Sequence, residues 1–341
     1  MADFKMRNNK SGFILIFTLW VLGFLTLIVV HIGYGVRQKM MLLKRIEERA
    51  QLQRQAESGI KKAIAIISEV IAQNPTSYTL VGKKRLHNNP EEYQKIFLMD
   101  KAGVCDVSYH DEENREFFGV IDEERKLNIN RAEPWMVKNL IEAALGVSSQ
   151  EALDLAEAIY KWRQPLSSSA TSVSFDHYYQ QLAHAYSQKS EPFEHIHELL
   201  LVRGINISIY NKLIPYLTVY GDGLVNINTA PRVVLAALGL PPGLIEKILL
   251  VRRGKDQLEG TEDDFIFQRV FDVASDVNQI IKLDSGEAQM LDQLNLKGWL
   301  TAQSFFYTIG SRAQLANSPA DQSIEVVFNG REYWIEYWKE K

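Results

Sequence analysis

From Ser11 to Val36 the chain carries no Asp, Glu, Lys or Arg, and Phe13–Val30 is apolar except for Thr18, Gly23 and Thr26. A helix of about 20 such residues crosses a hydrocarbon core of roughly 30 Å. The competing reading is a cleaved secretory signal with Lys5, Arg7 and Lys10 as its basic leader. That reading is disfavoured, because the run exceeds the roughly 7–15-residue core of such signals. His31, Tyr34 and Arg37 also stand where a small-x-small cleavage site would be needed. A membrane anchor is therefore predicted. Charge does not orient it, because Arg37, Lys39, Lys44 and Arg45 follow the span as closely as the leader precedes it.

The helical pattern continues past the apolar run. Val36, Met40, Leu43, Ile46, Ala50, Ala56, Ile60, Ile64, Ile67 and Ile71 form one stripe in steps of mostly three or four. Eight basic and three acidic residues between Arg37 and Lys62 occupy the other faces. Asn74-Pro75 supplies a stop, since the residue before proline avoids the helical region. The spacing predicts a helix over Phe13–Gln73, about 90 Å long.

The 341 residues allow two or three domains, and 46% hydrophobic with 23% charged content fits a folded chain. Cys105 is the only cysteine, which excludes an intramolecular disulfide and a cysteine-rich zinc site. The net charge of −4 removes the electrostatic pull that sequence-independent nucleic-acid binding requires.

Beyond the helix, Ile96–Met99, Val104–Tyr109 and Phe117–Ile121 read as strands, with Asp100–Gly103 as a hairpin turn. At the far end Ser304–Ser311, Ser323–Phe328 and Glu332–Lys339 do the same, the last two joined across Asn329-Gly330. In the last strand the alternation places Tyr333, Ile335 and Tyr337 on one face, with Trp334 and Trp338 on the other. Between these groups the chain reads as helical: Pro134–Ala144, Ser149–Arg163, Glu194–Val202, Ile207–Leu217, Pro231–Leu238 and Gly243–Arg252. Ser167–Ser174 reads as a loop. Leu127–Ala132 (LNINRA) and Val225–Ala230 (VNINTA) echo one another, each followed by a helix, an Ala-Leu-Gly and a second helix. This is an internal duplication of a small helical unit. The economical fold is α+β: one antiparallel sheet packed on the long helix, with a large all-α domain inserted in the sheet.

The junction Lys10-Ser11-Gly12 followed abruptly by Phe13 resembles the type IV prepilin signal. The resemblance implies cleavage after Gly12, N-methylation of Phe13, and retention of the apolar helix as the spine of a pilin. Further residues extend it, in order, over nearly the full chain: Gln55–Gly59 (QAESG), Lys126–Asn130 (KLNIN), Tyr220–Gly223 (YGDG) running into Val225–Pro231, and Gly260–Asp264 (GTEDD). Together they resemble the protein K family of type II secretion minor pseudopilins. That family implies a leader at 1–12, a membrane-spanning half-helix at 13–35 and a periplasmic amphipathic half at 36–73. It further implies a pseudopilin sheet at 94–127 and 301–341, interrupted by a helical domain of helix-hairpin-helix-like units at 128–300.

Its place would be the tip of the periplasmic pseudopilus, assisting export of folded proteins across the outer membrane. Its partners would be minor pseudopilins I, J and H, the major pseudopilin G and the prepilin peptidase, with an anchor in inner-membrane lipid. Most pilins carry Glu at the fifth mature position, paired with a neighbour's N-terminal ammonium in the bilayer. Here that position is Phe17, as in the protein K family, which suits a subunit with nothing above it.

The alternative class is a membrane-anchored helix-hairpin-helix protein of DNA uptake. Pro242–Ile245 and Gly204–Asn206 each lack the second glycine of the phosphate-binding turn, and residues 128–300 hold 15 basic and 21 acidic side chains. An enzyme has still less support. His177, His184, His195 and His197 fit no ligand spacing, and no catalytic triad, nucleophile elbow or P-loop is present. Cys105 reads as a buried strand residue.

The remaining candidate is Gly254–Asp264, with Asp256, Glu259, Glu262, Asp263 and Asp264 opposed only by Lys255. Spacing alone favours a solvated acidic loop. Resemblance to protein K relatives, in which calcium occurs, implies a structural Ca2+ site instead, although Gln257 replaces the glycine often found there. Asp256, Asp263 and Asp264 are the first-choice ligands, with Glu259 and Glu262 behind them.

Overall fold

The computed structural model describes residues 10–73, 86–97, 103–111, 114–165, 177–261, 263–315 and 319–341. The chain divides into a unit ending at Arg54 and a second unit, Gln55–Lys341. Helix α1 (Lys10–Gln73) enters both. In the first unit it is uninterrupted by proline, and its polar exceptions are satisfied locally. Thr18 Oγ1 donates to Leu15 O at 2.9 Å and Thr26 Oγ1 to Gly23 O at 2.7 Å. That is the solution lipid demands, where no water is present to accept the bond.

In the second unit α1 buries Ala56, Ile60, Ile67 and Ile71 of the expected stripe against a seven-stranded antiparallel sheet, with Ala63 buried in place of Ile64, which is only half-buried. The strands are β1 (Ile96–Phe97), β2 (Gly103–His110), β3 (Glu116–Phe118), β4 (Ile121–Asp122) and, after a long excursion, three more. The excursion holds the two-residue strands β5 (Leu127–Asn128), β6 (Leu217–Thr218), β7 (Val225–Asn226) and β8 (Leu300–Thr301). The sheet resumes with β9 (Phe306–Leu315), β10 (Asp321–Asn329) and β11 (Trp334–Glu340). Its order is β1-β2-β9-β10-β11, with β3 on β2 and β4 on β9. Gly59 lets the helix pack directly on the sheet, since a Cβ there would clash with the Ser311 hydroxyl.

The excursion is built twice. Residues β5 and β6 pair in parallel, and so do β7 and β8. Ile129 N donates to Thr218 O at 2.8 Å and Ile227 N to Thr301 O at 2.9 Å. Asn130 exchanges two bonds with the backbone of Phe193, and Asn228 does the same with Phe267. Arg163 donates to the carbonyls of Ile129 and Ala132, and Arg252 Nη1 to that of Ala230. Each repeat carries a helix pair: α2 (Pro134–Leu145) with α3 (Ser149–Arg163), then, after α4 (Ile207–Leu213), α5 (Arg232–Ala237) with α6 (Pro242–Arg252). Helices α7 (Val273–Ile280) and α8 (Ser285–Leu296) complete the second repeat. One apolar core, from Leu127 to Leu300, runs through both.

Several sequence expectations change. The excursion is not wholly helical, because each repeat closes on a parallel bridge. The expected strand Phe117–Ile121 is two strands, split where Gly119 packs under the carbonyls of Leu86 and His87, 2.4–2.5 Å from where a Cβ would sit. Ile207–Leu217 is α-helical only to Leu213, with Pro215 inside the 3-10 turn that follows. Glu194–Val202 is a 3-10 turn over Ile196–Leu201. In β11 the two-face alternation fails. A bulge between Val327 and Phe328 pairs Tyr337 with Val327 but Ile335 with Phe328, leaving Glu336 as the extra residue. Ile335 thereby joins the face of Trp338, and Trp334 joins that of Tyr337. Ser167–Ser174 and Asn74-Pro75 lie outside the described residues.

Candidate functional site

At the N-terminus, Gly12 and Phe13 lie in the opening turns of α1. Phe13 is 73% exposed and Phe17 60%. Phe13–Ala72 includes a window of mean hydropathy 2.8, long and apolar enough to cross a bilayer. Exposure of this continuous run is tolerable only where lipid or other apolar surface covers it.

A second site was not singled out from the sequence: Asp122-Glu123-Glu124, three consecutive acids that are all buried where both repeats meet the sheet. Each reaches a different part of the molecule. Asp122 Oδ2 accepts from Asn226 Nδ2 at 2.9 Å and Thr229 Oγ1 at 2.5 Å, holding the second repeat. Glu123 accepts from Thr218 in the first repeat and Thr308 in β9, each at 2.6 Å, and pairs with Lys126 at 2.6 Å. Glu124 Oε2 accepts from Phe305 N at 2.6 Å, where the chain re-enters the sheet. Burial raises Asp122, and burial plus the Asp122 charge pushes Glu124 up to about 8. Burial also presses on Glu123, but Lys126 and the two hydroxyls outweigh it and its carboxyl is lowered. Gly221 packs on Glu124 and Asp222 pairs with Arg331 at 2.7 Å, so the Tyr220–Gly223 motif closes the same joint.

The acidic loop 254–264 is tightly curved, with Gly254, Gln257 and Gly260 at φ of 63, 61 and 84°. Gln257 thus takes the left-handed conformation that a glycine would take at less cost. Asp263 accepts from the amides of Lys255 at 2.6 Å and Asp256 at 3.0 Å and from Thr261 Oγ1 at 2.8 Å. Those bonds, the Thr261 hydroxyl foremost, lower its carboxyl to about 2. Asp264 accepts from Gly260 N at 2.7 Å and is raised by burial. Asp256 caps Leu258 N. Glu259 turns away to Arg252 at 3.3 Å and Arg253 at 3.7 Å. Glu262 lies outside the described residues. Among the described residues no three acids or histidines converge as metal ligands. The neighbours Asp263 and Asp264 share Thr261, whose Oγ1 lies 2.8 Å from Asp263 Oδ1 and 3.4 Å from Asp264 Oδ1.

His177 hydrogen-bonds Gln181, and His184 is exposed. His195 lies beside Tyr337, and His197 hydrogen-bonds Tyr210 at 2.5 Å. Both line a cavity of about 200 Å³ between the sheet and the first repeat, without forming a ligand set. Cys105 is buried and burial raises its thiol to about 11, which leaves it a poor nucleophile. Of the arginines near the helix-hairpin turns, Arg163 and Arg252 are buried against carbonyls rather than offered to phosphate, whereas Arg203, directly before the Gly204–Asn206 turn, is exposed and lies 4.9 Å over the Tyr178 ring.

A family model described as "Type II secretion system (T2SS), protein K" matches residues 123–222. That segment starts at Glu123 of the joint and ends at Asp222, enclosing the first repeat. Over that segment the resemblance to protein K holds. No curated protein sequence matches the chain. The fold is that of a chain in the crystal structure of the GspK-GspI-GspJ complex from the enterotoxigenic Escherichia coli type 2 secretion system. The two share 15% identity at a TM-score of 0.61, over 88% of this chain and 99% of that one. The long helix, antiparallel sheet and inserted helical repeats are therefore a pilin-like α+β fold.

Proposed function

We propose that this chain is a type II secretion minor pseudopilin of the protein K kind, a structural subunit rather than an enzyme. Its segment 13–35 spans the inner membrane once and its C-terminal domain stands in the periplasm, at the tip of the pseudopilus, where it assists export of folded proteins. The carrying observation is the doubled helical insert within a pilin-like sheet, shared over 88% of the chain with a structure whose description names GspK, GspI and GspJ in one complex. Partners I and J follow from that similarity; H, G and the prepilin peptidase rest on the sequence resemblance. Detergent-solubilised full chain should co-purify with I and J from the same cells. Failure to retain either one removes the reading.

The acidic loop carries a separate proposal, a structural calcium ion held by Asp263 and Asp264 with Asp256 as third candidate. The curvature at Gly254 and Gly260 and the paired carboxylates support it. Calcium should raise the melting temperature, and Asp264→Ala should remove most of that rise. Superimposable melting curves with calcium and with chelator would leave an acidic surface turn.

A further inference from the structure

The basic residues that follow the span have no role in the preceding account. We infer that Arg37, Lys39, Lys44 and Arg45 form a binding site for the phosphate groups of anionic phospholipids in the leaflet on the domain side of the membrane. This rests on the single-span reading proposed above.

The geometry of α1 supports the assignment. Arg37 to Arg45 spans about 12 Å of helix axis, and Arg37, Lys44 and Arg45 fall within an arc of about 100° with Lys39 behind them. The headgroup layer beyond the hydrocarbon is roughly 5–8 Å deep, so Arg37 and Lys39 lie within it. Lys44 and Arg45 stand further out, but every Cα–Cβ bond of a helix tilts toward its N-terminus, here toward the bilayer. Their long stems therefore lean back along the helix, and their charged ends reach the phosphates by snorkelling. Met40, Leu43 and Ile46, all more than half exposed, occupy the complementary arc.

The charges are also available. Lys44 meets Glu48 at 3.8 Å with its own side chain 77% exposed, a loose pair that a phosphate can displace. Arg37, Lys39 and Arg45 make no ion pair among the described residues. Glu47 and Glu48 are the only acids between Arg37 and Arg49, against five bases. Basic clusters bordering a span are also disfavoured on the translocated side by the positive-inside bias, so their retention there calls for a compensating interaction. An acidic helix of a neighbouring subunit is the competing occupant. Position favours lipid, because the cluster begins two residues beyond the span.

The full chain, reconstituted in bilayers of mixed phosphatidylcholine and phosphatidylglycerol, would be probed with spin-labelled forms of each lipid. The wild type should prefer phosphatidylglycerol, by about fivefold for each base that reaches a phosphate, and added salt should weaken the preference. The combined Arg37→Gln, Lys39→Gln, Lys44→Gln and Arg45→Gln variant should lose most of it while staying in the bilayer. Arg37→Lys with Arg45→Lys should keep it. Equal affinity for both lipids in the wild type, or an unchanged preference in the variant, overturns the site; so does a variant that loses only its co-purifying protein partner. If inorganic phosphate abolishes the preference where chloride of equal ionic strength does not, the site takes free phosphate and the lipid assignment falls. A chain that does not enter the bilayer refutes the span itself, a result distinct from loss of preference.

Discussion

Glu124 shows how a single side chain sets a property of the whole fold. Its carboxyl sits beside Asp122, accepts from Phe305 N and is pushed up to about 8, chiefly by burial. In an unfolded chain the same group titrates near its ordinary value of 4.5. A raised carboxyl means that the folded state holds the proton more tightly. Its stabilisation is thus fully present below pH 4.5 and is lost as pH rises through 8. The loss amounts to a few kcal/mol, on the order of 1.4 kcal/mol per unit of pKa difference. Glu124→Gln keeps the acceptor for Phe305 N and cannot ionise. It should therefore flatten the pH dependence between 5 and 8.5 and raise stability at the alkaline end, read from denaturant midpoints across that range. Equal slopes for the two proteins would place the titrating group elsewhere. His87 works in the opposite direction: burial, then the Arg125 charge, lower it to about 4. Stability it supports above pH 6.5 is lost as pH falls toward 4.

At the scale of elements, the two repeats offer an internal control. Asn130 clamps Phe193 and Asn228 clamps Phe267 by the same reciprocal pair of bonds, yet Asn228 is buried and Asn130 only half-buried. Removing a buried partner leaves donor and acceptor unsatisfied at about 1–3 kcal/mol per group, whereas water can replace a half-exposed one. Asn228→Ala should therefore cost about 2–4 kcal/mol and Asn130→Ala distinctly less, measured by thermal unfolding. A neutral Asn228→Ala would mean that the clamp contributes nothing. The duplication itself was legible, because the Asn-Ile-Asn turn must be spelled out in sequence to be built twice. The long helix was legible for a similar reason: its stripe repeats for ten positions. Helices α7 and α8 were missed although Asp284 and Glu287 form a capping box that the sequence displays. The acid joint was not legible in any local pattern. Glu124 meets Phe305 across 181 residues, and only the return of the chain to the sheet turns three solvated-looking acids into buried ones. The bulge in β11 is equally non-local, since it is a property of pairing with β10 rather than of either strand.

At the scale of the molecule, the candidate site is a helix rather than a cleft, and its test is how the chain is cut and where it stands. Peptidase action after Gly12 would leave Phe13 as the first residue of an apolar helix already continuous to the domain. Mass analysis of membrane-purified protein should find methylated Phe13 at the N-terminus, and Gly12→Leu should leave the leader attached. A mature chain beginning beyond residue 30 would show a secretory signal instead. Phe17 then tests position in the filament. A carboxylate at that depth needs an ammonium from a neighbour above, since an unpaired charge within the bilayer costs about 2.5–3.5 kcal/mol on insertion scales. A subunit at the tip has no such neighbour. Phe17→Glu should therefore leave secretion of folded protein unimproved or reduce it, and should not spread the chain along the filament. If labelled Phe17→Glu protein were instead found throughout the filament, at the density of a major subunit and with secretion intact, position five would be a general assembly determinant and the tip assignment would fail.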